Sequence, residues 1–176
     1  MAVFNLIQHT ELSGAAASFN VTSIPSSYDH LYMVASARTD VSGNLGSCNL
    51  TFNGTGGSSY GTTSIYAGTS TPQAGESSSH SSINYIYVTA NNDLADTFGT
   101  IEIWVPNYAN TSNNTQALIQ WGYIGSSTTD YQWISGQTSG LFMNTAAINQ
   151  FTLNENTGNN FMQHSTFTLY GINGAA

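Results

Sequence analysis

The chain has 176 residues, of which 40 % are hydrophobic, 12 % aromatic and only 6 % charged, and its net charge is −8. This length favours one domain over residues 1–176, and the aromatic content argues against a disordered chain. Phosphate groups are bound by clustered lysines and arginines, and the sequence has one arginine and no lysine. Nucleic acid is therefore excluded as a partner, and anionic membrane surfaces are disfavoured.

The amino-terminal stretch does not have the pattern of a targeting segment. MAVFNLIQHTELSG lacks the basic and long apolar regions of a signal peptide, and no apolar run in the chain reaches the roughly 18 residues that span a bilayer. We expect residues 1–18 to form an N-terminal arm or an edge strand. Cys48 is the only cysteine, so an intramolecular disulfide is excluded and a reducing compartment is allowed.

Alternating apolar and polar residues predict a series of short strands. Leu31, Met33, Ala35 and Ala37 share one face of the first, and later strands follow the same rule. In chain order these strands are HLYMVASAR (from His30), INYIYVTA (from Ile83), IEIWVPN (from Ile101), TQALIQWGYI (from Thr115), AAINQFTL (from Ala146) and STFTLYGI (from Ser165).

The phase of alternation changes in AAINQFTL, and a β-bulge near Asn149 and Gln150 would restore one buried face. Turn-forming residues separate the strands, and TSTPQAGESSSHSS (69–82) is predicted to be a long loop. About eight to ten short strands with such turns predict an all-β single-domain antiparallel sandwich, jelly-roll-like in arrangement.

Motifs for catalysis or metal binding are weak. GSSYG places Ser59 in a G-x-S-x-G pattern, but a nucleophile elbow needs a strand-to-helix turn that an all-β chain does not offer. The four histidines are far apart without metal-ligand spacing. Asp93 and Asp96 could help to bind calcium, although Asx turns explain them equally well. The sequence predicts no cofactor, no metal site and no catalytic residue, and a zinc site assembled from distant strands stays open.

The three tryptophans allow two interpretations. Trp104, Trp121 and Trp133 could form a platform that stacks on sugars, and Glu102 shares the polar face of its strand with Trp104. The alternative is that the tryptophans are buried in the sandwich or between subunits, and the sequence favours this second interpretation.

Arg38 is the only arginine, and it lies at the end of the predicted strand HLYMVASAR. Asp40 is two residues further on, so both side chains point to the same side if the strand continues. A guanidinium can bind carboxylates or carbonyls in a fork that lysine cannot copy. We predict a structural clamp on a neighbouring loop, with Asp40 or another carboxylate as the ion-pair partner.

Four segments, taken in order, resemble structural proteins of tailed bacteriophages of the jelly-roll decoration or head-tail type. They are IPSSYDHLYMVASARTD, LTFNGTGGSSY, IWVPNYAN, and TAAINQFTL followed by NFMQHSTFTLYGI, all between residues 24 and 172. Their order and spacing match along nearly the whole chain, from residue 19 to 173. Thr55 stands where these proteins usually carry an acidic residue, and His164, Ser165 and Thr166 replace a Gly-Ser-Arg. The second of these differences removes an arginine that could form an ion pair.

The resemblance implies a virion protein without enzymatic activity. The small number of cationic side chains favours a position on the outside of the particle, which implies a capsid decoration (cement) protein. Its expected partners are the major capsid protein or other virion proteins. We expect it to be made in the host cytoplasm and to assemble as a homotrimer. The alternative is a tail or fibre-associated module that recognises a receptor or a carbohydrate.

Overall fold

The computed structural model describes residues 3–68, 71–125 and 133–174, with only the backbone described at Trp133. Its regular elements are all β-strands, arranged as two antiparallel sheets in a sandwich, which confirms the predicted fold class. The strands are β1 (Val3–Glu11), β2 (Ser18–Val21), β3 (His30–Ala37), β4 (Gly46–Phe52), β5 (Tyr60–Ala67), β6 (Gln73–His80), β7 (Ile83–Val88), β8 (Gly99–Pro106), β9 (Thr115–Ile124), β10 (Trp133–Phe142), β11 (Phe151–Glu155) and β12 (Thr166–Asn173).

The larger sheet has the order β1-β12-β3-β8-β9-β10-β5-β6, and the smaller has the order β2-β11-β4-β7. Eight of these strands form the two four-stranded halves β1-β12-β3-β8 and β2-β11-β4-β7, in which the first four strands of the chain alternate between the sheets. This is the jelly-roll order. The inserted strands β5, β6, β9 and β10 all extend the larger sheet, which raises the number of strands above the predicted eight to ten.

The alternation of the sequence is reproduced in the burial of the strands. On β3, Leu31, Met33, Ala35 and Ala37 are buried, and Tyr32 on the opposite face is partly exposed. Strands β8 and β12 follow the same pattern. The buried faces of both sheets form one hydrophobic core, so each sheet of the sandwich has one inner and one outer face.

Two sequence predictions about local structure are wrong. Residues 73–80, predicted to be part of a loop, form β6, which pairs with β5 as the last strand of the larger sheet. No bulge occurs at Asn149 and Gln150, because β11 begins only at Phe151. Instead, the Asn53 side chain accepts hydrogen bonds from the backbone N–H groups of both residues, at 2.8 and 3.1 Å. These bonds provide acceptors for the two backbone N–H groups at the point where the buried positions of the sequence shift by one residue.

The amino-terminal strand β1 pairs with β12 from Val3 to Glu11 and forms one edge of the larger sheet. Its outer side chains are strongly exposed, including Phe4 (55 %) and Leu6 (60 %). No helix in the ranges that the structure describes is long and apolar enough to cross a membrane.

Candidate functional site

Arg38 is buried just beyond the end of β3, with 5 % of its surface exposed. Its guanidinium donates four hydrogen bonds of 2.5–3.1 Å to backbone carbonyl oxygens of the loop between β7 and β8. The accepting residues are Asn91, Asp93, Leu94 and Thr97. We call this arrangement the Arg38 clamp. It uses the planar fork of the guanidinium on a curved stretch of backbone, which one ammonium group could not span.

The predicted ion pair between Arg38 and Asp40 is not formed, although the structure describes both residues. Asp40 instead accepts hydrogen bonds from the backbone N–H and the side-chain amide of Asn160, at 2.7 and 3.1 Å. The two side chains therefore hold different loops. Backbone hydrogen bonds hold the same two loops. The N–H of Thr39 donates to the carbonyl of Thr89, and the N–H of Met162 donates to the carbonyl of Arg38.

The tryptophans do not form one platform. Trp121 lies on the inner face of β9, is 4 % exposed and donates from its indole N–H to the hydroxyl of Thr138 at 3.0 Å. Its ring packs against Tyr66 and Tyr87 in the core. Trp104 lies on the outer face of β8 and is partly exposed. The backbone of Trp133 pairs with Ile124, and its side chain lies outside the described part of the structure.

Trp104 belongs to a line of large side chains that crosses five strands on the outer face of the larger sheet. These residues are in register from one strand to the next, and we call them the aromatic row: Leu6, Tyr170, Tyr32, Trp104 and Leu118. The ring centroids of Tyr32 and Trp104 are 6.2 Å apart, and the ring of Phe4 packs edge-on against Tyr32 and Tyr170. The row is a continuous apolar surface on an accessible face.

A second line of side chains runs beside the aromatic row, two residues away from it on β8 and β9, and continues onto β10. Glu102, Gln120 and Gln137 lie directly opposite one another on β8, β9 and β10, and all three are exposed. We call them the polar row. Two residues of a strand cover about 7 Å, so the two rows are neighbours on the sheet. The pKa of Tyr32 is raised, first by burial and then by the charge of Glu102 and a hydrogen bond to it. The Glu102 carboxylate therefore lies beside the aromatic row.

The polar row borders a concavity of about 410 Å³ that Thr100, Gly122 and Ser135 also line. A second concavity of about 590 Å³ continues from Ser135 and Gln137 to the apolar residues Ile65 and Ala74. Together they form an open groove across β8, β9, β10, β5 and β6. The small side chains of the lining provide the depth.

The other candidate residues lie apart from this face. The Ser59 hydroxyl donates to the carbonyl of Gly56 at 2.9 Å within the hairpin loop between β4 and β5, which contains no strand-to-helix turn. Asp93 accepts a hydrogen bond from the backbone N–H of the next residue, Leu94, at 2.8 Å. No group of three His, Cys, Asp or Glu side chains that could hold a metal ion occurs within the described residues.

Gln120 and Gln137 are not among the site residues predicted from the sequence. Alternation within TQALIQWGYI places Gln120 on the polar face of β9, so this signal was available. The same alternation puts Trp121 in phase with the buried Ile119 and Tyr123, and therefore separates it from Trp104. Gln137 lies on β10, a strand that sequence analysis did not predict.

Comparison with known proteins gives no match, since no protein-family model, no curated protein and no solved structure is significantly similar to this chain. The resemblance to phage proteins therefore rests on the sequence segments quoted above.

Proposed function

We propose that this protein is a bacteriophage virion structural protein, a capsid decoration protein that stabilises the head from outside. The observation that carries this proposal is the burial of Arg38. Because it is the only lysine or arginine of the sequence, no such side chain is exposed anywhere on the protein. The surface presents hydroxyl, amide and carboxylate groups, which is unsuited to contact with packaged DNA.

A surface of this kind is suited to a large interface with other proteins. Uncharged hydroxyl and amide groups cost less to remove from water than charged groups, and they can form hydrogen bonds across the contact. The outer face of the smaller sheet already carries such groups in fixed positions. Asn20 accepts from the Thr152 hydroxyl at 2.8 Å, and Asn49 donates to Asn156 at 2.6 Å. Preorganised side chains lose less entropy on binding, which supports a role in assembly.

Purified protein added to capsids that lack it tests the proposal by co-sedimentation, followed by thermal release of the packaged DNA. We expect saturable binding, a copy number comparable to that of the shell protein, and a higher release temperature for decorated particles. Absence of binding, together with unchanged particle stability, would contradict the decoration function.

A homotrimer is the proposed assembly unit. The edge strand β1 supports self-association, because it exposes Phe4 and Leu6 next to unpaired backbone groups at the sheet edge. Native mass spectrometry of the wild type and of Leu6→Ser tests this proposal. We expect trimers that dissociate in the variant, and a wild-type monomer at micromolar concentration would contradict it.

The second candidate is a tail or fibre-associated module that recognises a receptor or carbohydrate. Trp104 and Glu102 on the accessible outer face favour it. A small copy number per particle and adsorption to host cells that depends on Trp104 are the expected results for this location. Adsorption unchanged in Trp104→Ala would count against it.

A further inference from the structure

The outer face of the larger sheet combines two chemically different lines of side chains. The aromatic row gives an apolar strip, and the polar row gives a carboxylate and two carboxamides beside it. The three polar side chains are exposed, and neither glutamine amide hydrogen-bonds to another side chain within the described residues. Gln120 and Gln137 are thus available both to donate and to accept hydrogen bonds.

A sugar ring has the matching chemistry. Its axial C–H groups form an apolar face that packs on an aromatic ring, and its hydroxyl groups at the rim each donate and accept hydrogen bonds. Adjacent strands are about 4.8 Å apart, which is close to the length of one sugar unit along a chain. A sugar unit lying over Trp104 would therefore bring its hydroxyl groups toward Glu102 and Gln120.

The charge of the face selects among saccharides. Glu102 contributes a negative charge, and no lysine or arginine is exposed to bind a carboxylate, sulfate or phosphate group. Anionic saccharides would be repelled by this face and by the net charge of −8. A neutral saccharide meets no such penalty, and its vicinal hydroxyl groups can donate to the Glu102 carboxylate.

The shape of the face indicates a polymer rather than a single sugar. The groove is open along its length and continues from the polar row across β10 to Ile65 and Ala74 on β5 and β6. Small-molecule sites enclose most of their ligand, whereas an open groove across several strands contacts an extended chain along one side. Several weak contacts along the chain would then act together.

We propose that the outer face of the larger sheet binds a neutral polysaccharide, with a sugar ring packed on Trp104 and hydroxyl groups bound by Glu102, Gln120 and Gln137. The proposal deepens the second candidate function and rests on it for its biological role. The binding chemistry itself does not depend on whether the protein is located in the head or in the tail.

Affinity electrophoresis of the full chain tests this proposal. The net charge moves the protein through a native gel, and binding to a polymer cast into the gel slows it. The probes are hydroxyethyl cellulose, soluble starch and galactomannan as neutral polymers, with alginate as the anionic comparison. We expect retardation by at least one neutral polymer and none by alginate.

Variants locate the site. Trp104→Ala should weaken binding at least about tenfold, which corresponds to about 1.4 kcal/mol. Gln120→Ala should weaken it about three- to tenfold, as expected for one or two lost hydrogen bonds. Gln116→Ala is the matched control, because Gln116 is an exposed glutamine on the same face of β9 and lies outside the polar row. It should bind like the wild type. A thermal melt of each variant verifies folding, and Gln120→Ala keeps the test valid if Trp104→Ala does not fold.

Three outcomes would overturn the proposal: no retardation by any neutral polymer, equally strong retardation by alginate, or unchanged binding in both Trp104→Ala and Gln120→Ala. Capsid binding by the same preparations separates these results from the proposed function. Protein that decorates capsids but ignores every polymer refutes the saccharide site alone, and protein that binds polymer but not capsids refutes the decoration function alone.

Discussion

Removing the guanidinium of Arg38 should destabilise the protein strongly without affecting the outer face of the larger sheet. Arg38→Met is the most informative variant, because it retains most of the side-chain stem and removes only the head group. Four carbonyl oxygens of residues 91–97 then lose their donor. Arg38→Lys keeps the charge but offers one ammonium group in place of the fork.

The magnitude follows from the environment of the four bonds. A hydrogen bond from a charged donor contributes about 1.5–3 kcal/mol when it is well buried. Three of the four bonds are only partly buried, so water can replace part of the lost interaction. We therefore expect Arg38→Met to lower the free energy of unfolding by about 3–5 kcal/mol. For a chain of this length this corresponds to a decrease in Tm of about 6–20 °C.

Urea denaturation followed by tryptophan fluorescence measures the change, and a constant m-value would show that both proteins unfold in the same manner. We expect Arg38→Lys to recover less than half of the loss. A double-mutant cycle with Asp40→Asn should give a coupling energy below about 0.5 kcal/mol, because Arg38 and Asp40 hold different loops. A loss below about 1 kcal/mol in Arg38→Met would refute the clamp, and strong coupling would restore the ion pair that the sequence suggested.

Three further predictions concern the core and its loops. Asn53→Ala should cost about 2–4 kcal/mol in urea denaturation, because it removes three hydrogen bonds; an equally stable variant would contradict this role. Trp121→Ala should cost about 3–5 kcal/mol and Trp104→Ala clearly less, since only Trp121 is in the core; similar losses would refute that contrast. Burial raises the pKa of Tyr123 above 10.0, so the folded state keeps the proton while the unfolded state releases it. The contribution of Tyr123 to the free energy of unfolding should therefore be constant below about pH 10 and decrease above it. Urea midpoints measured between about pH 8 and 11 should show a less steep decrease in Tyr123→Phe than in the wild type.

The strands that sequence analysis predicted best are those buried on one face. Strands β3 and β8 alternate throughout between buried and more exposed positions, and β12 does so from Thr166 to Gly171, because one side faces the common core. In such strands the alternation itself reports the environment. The placement of Glu102 and Trp104 on one outer face could be predicted for the same reason.

Strands at the far side of the larger sheet could not be found in this way. The segment QAGESSSH forms β6 with little buried apolar surface, and it is a strand because β5 offers a row of backbone partners. Hydrogen bonding of this kind uses groups that every residue except proline carries. The composition of this segment therefore predicts a loop, although pairing with the sheet makes it a strand. Strand β10, which carries Gln137, was not predicted because the middle of its sequence also has no large apolar residues.

The sequence by itself determined that the protein is an all-β sandwich, which residues of its regular strands face the core, and that its surface has almost no cationic groups. Alternation and composition carry this information because they record which side chains avoid water. Only the tertiary structure decided that Arg38 binds four carbonyl oxygens instead of Asp40, and that Glu102, Gln120 and Gln137 lie in one line beside Trp104. Carbonyl groups and strand register leave no mark in the sequence, since both depend on which distant segments the fold brings together.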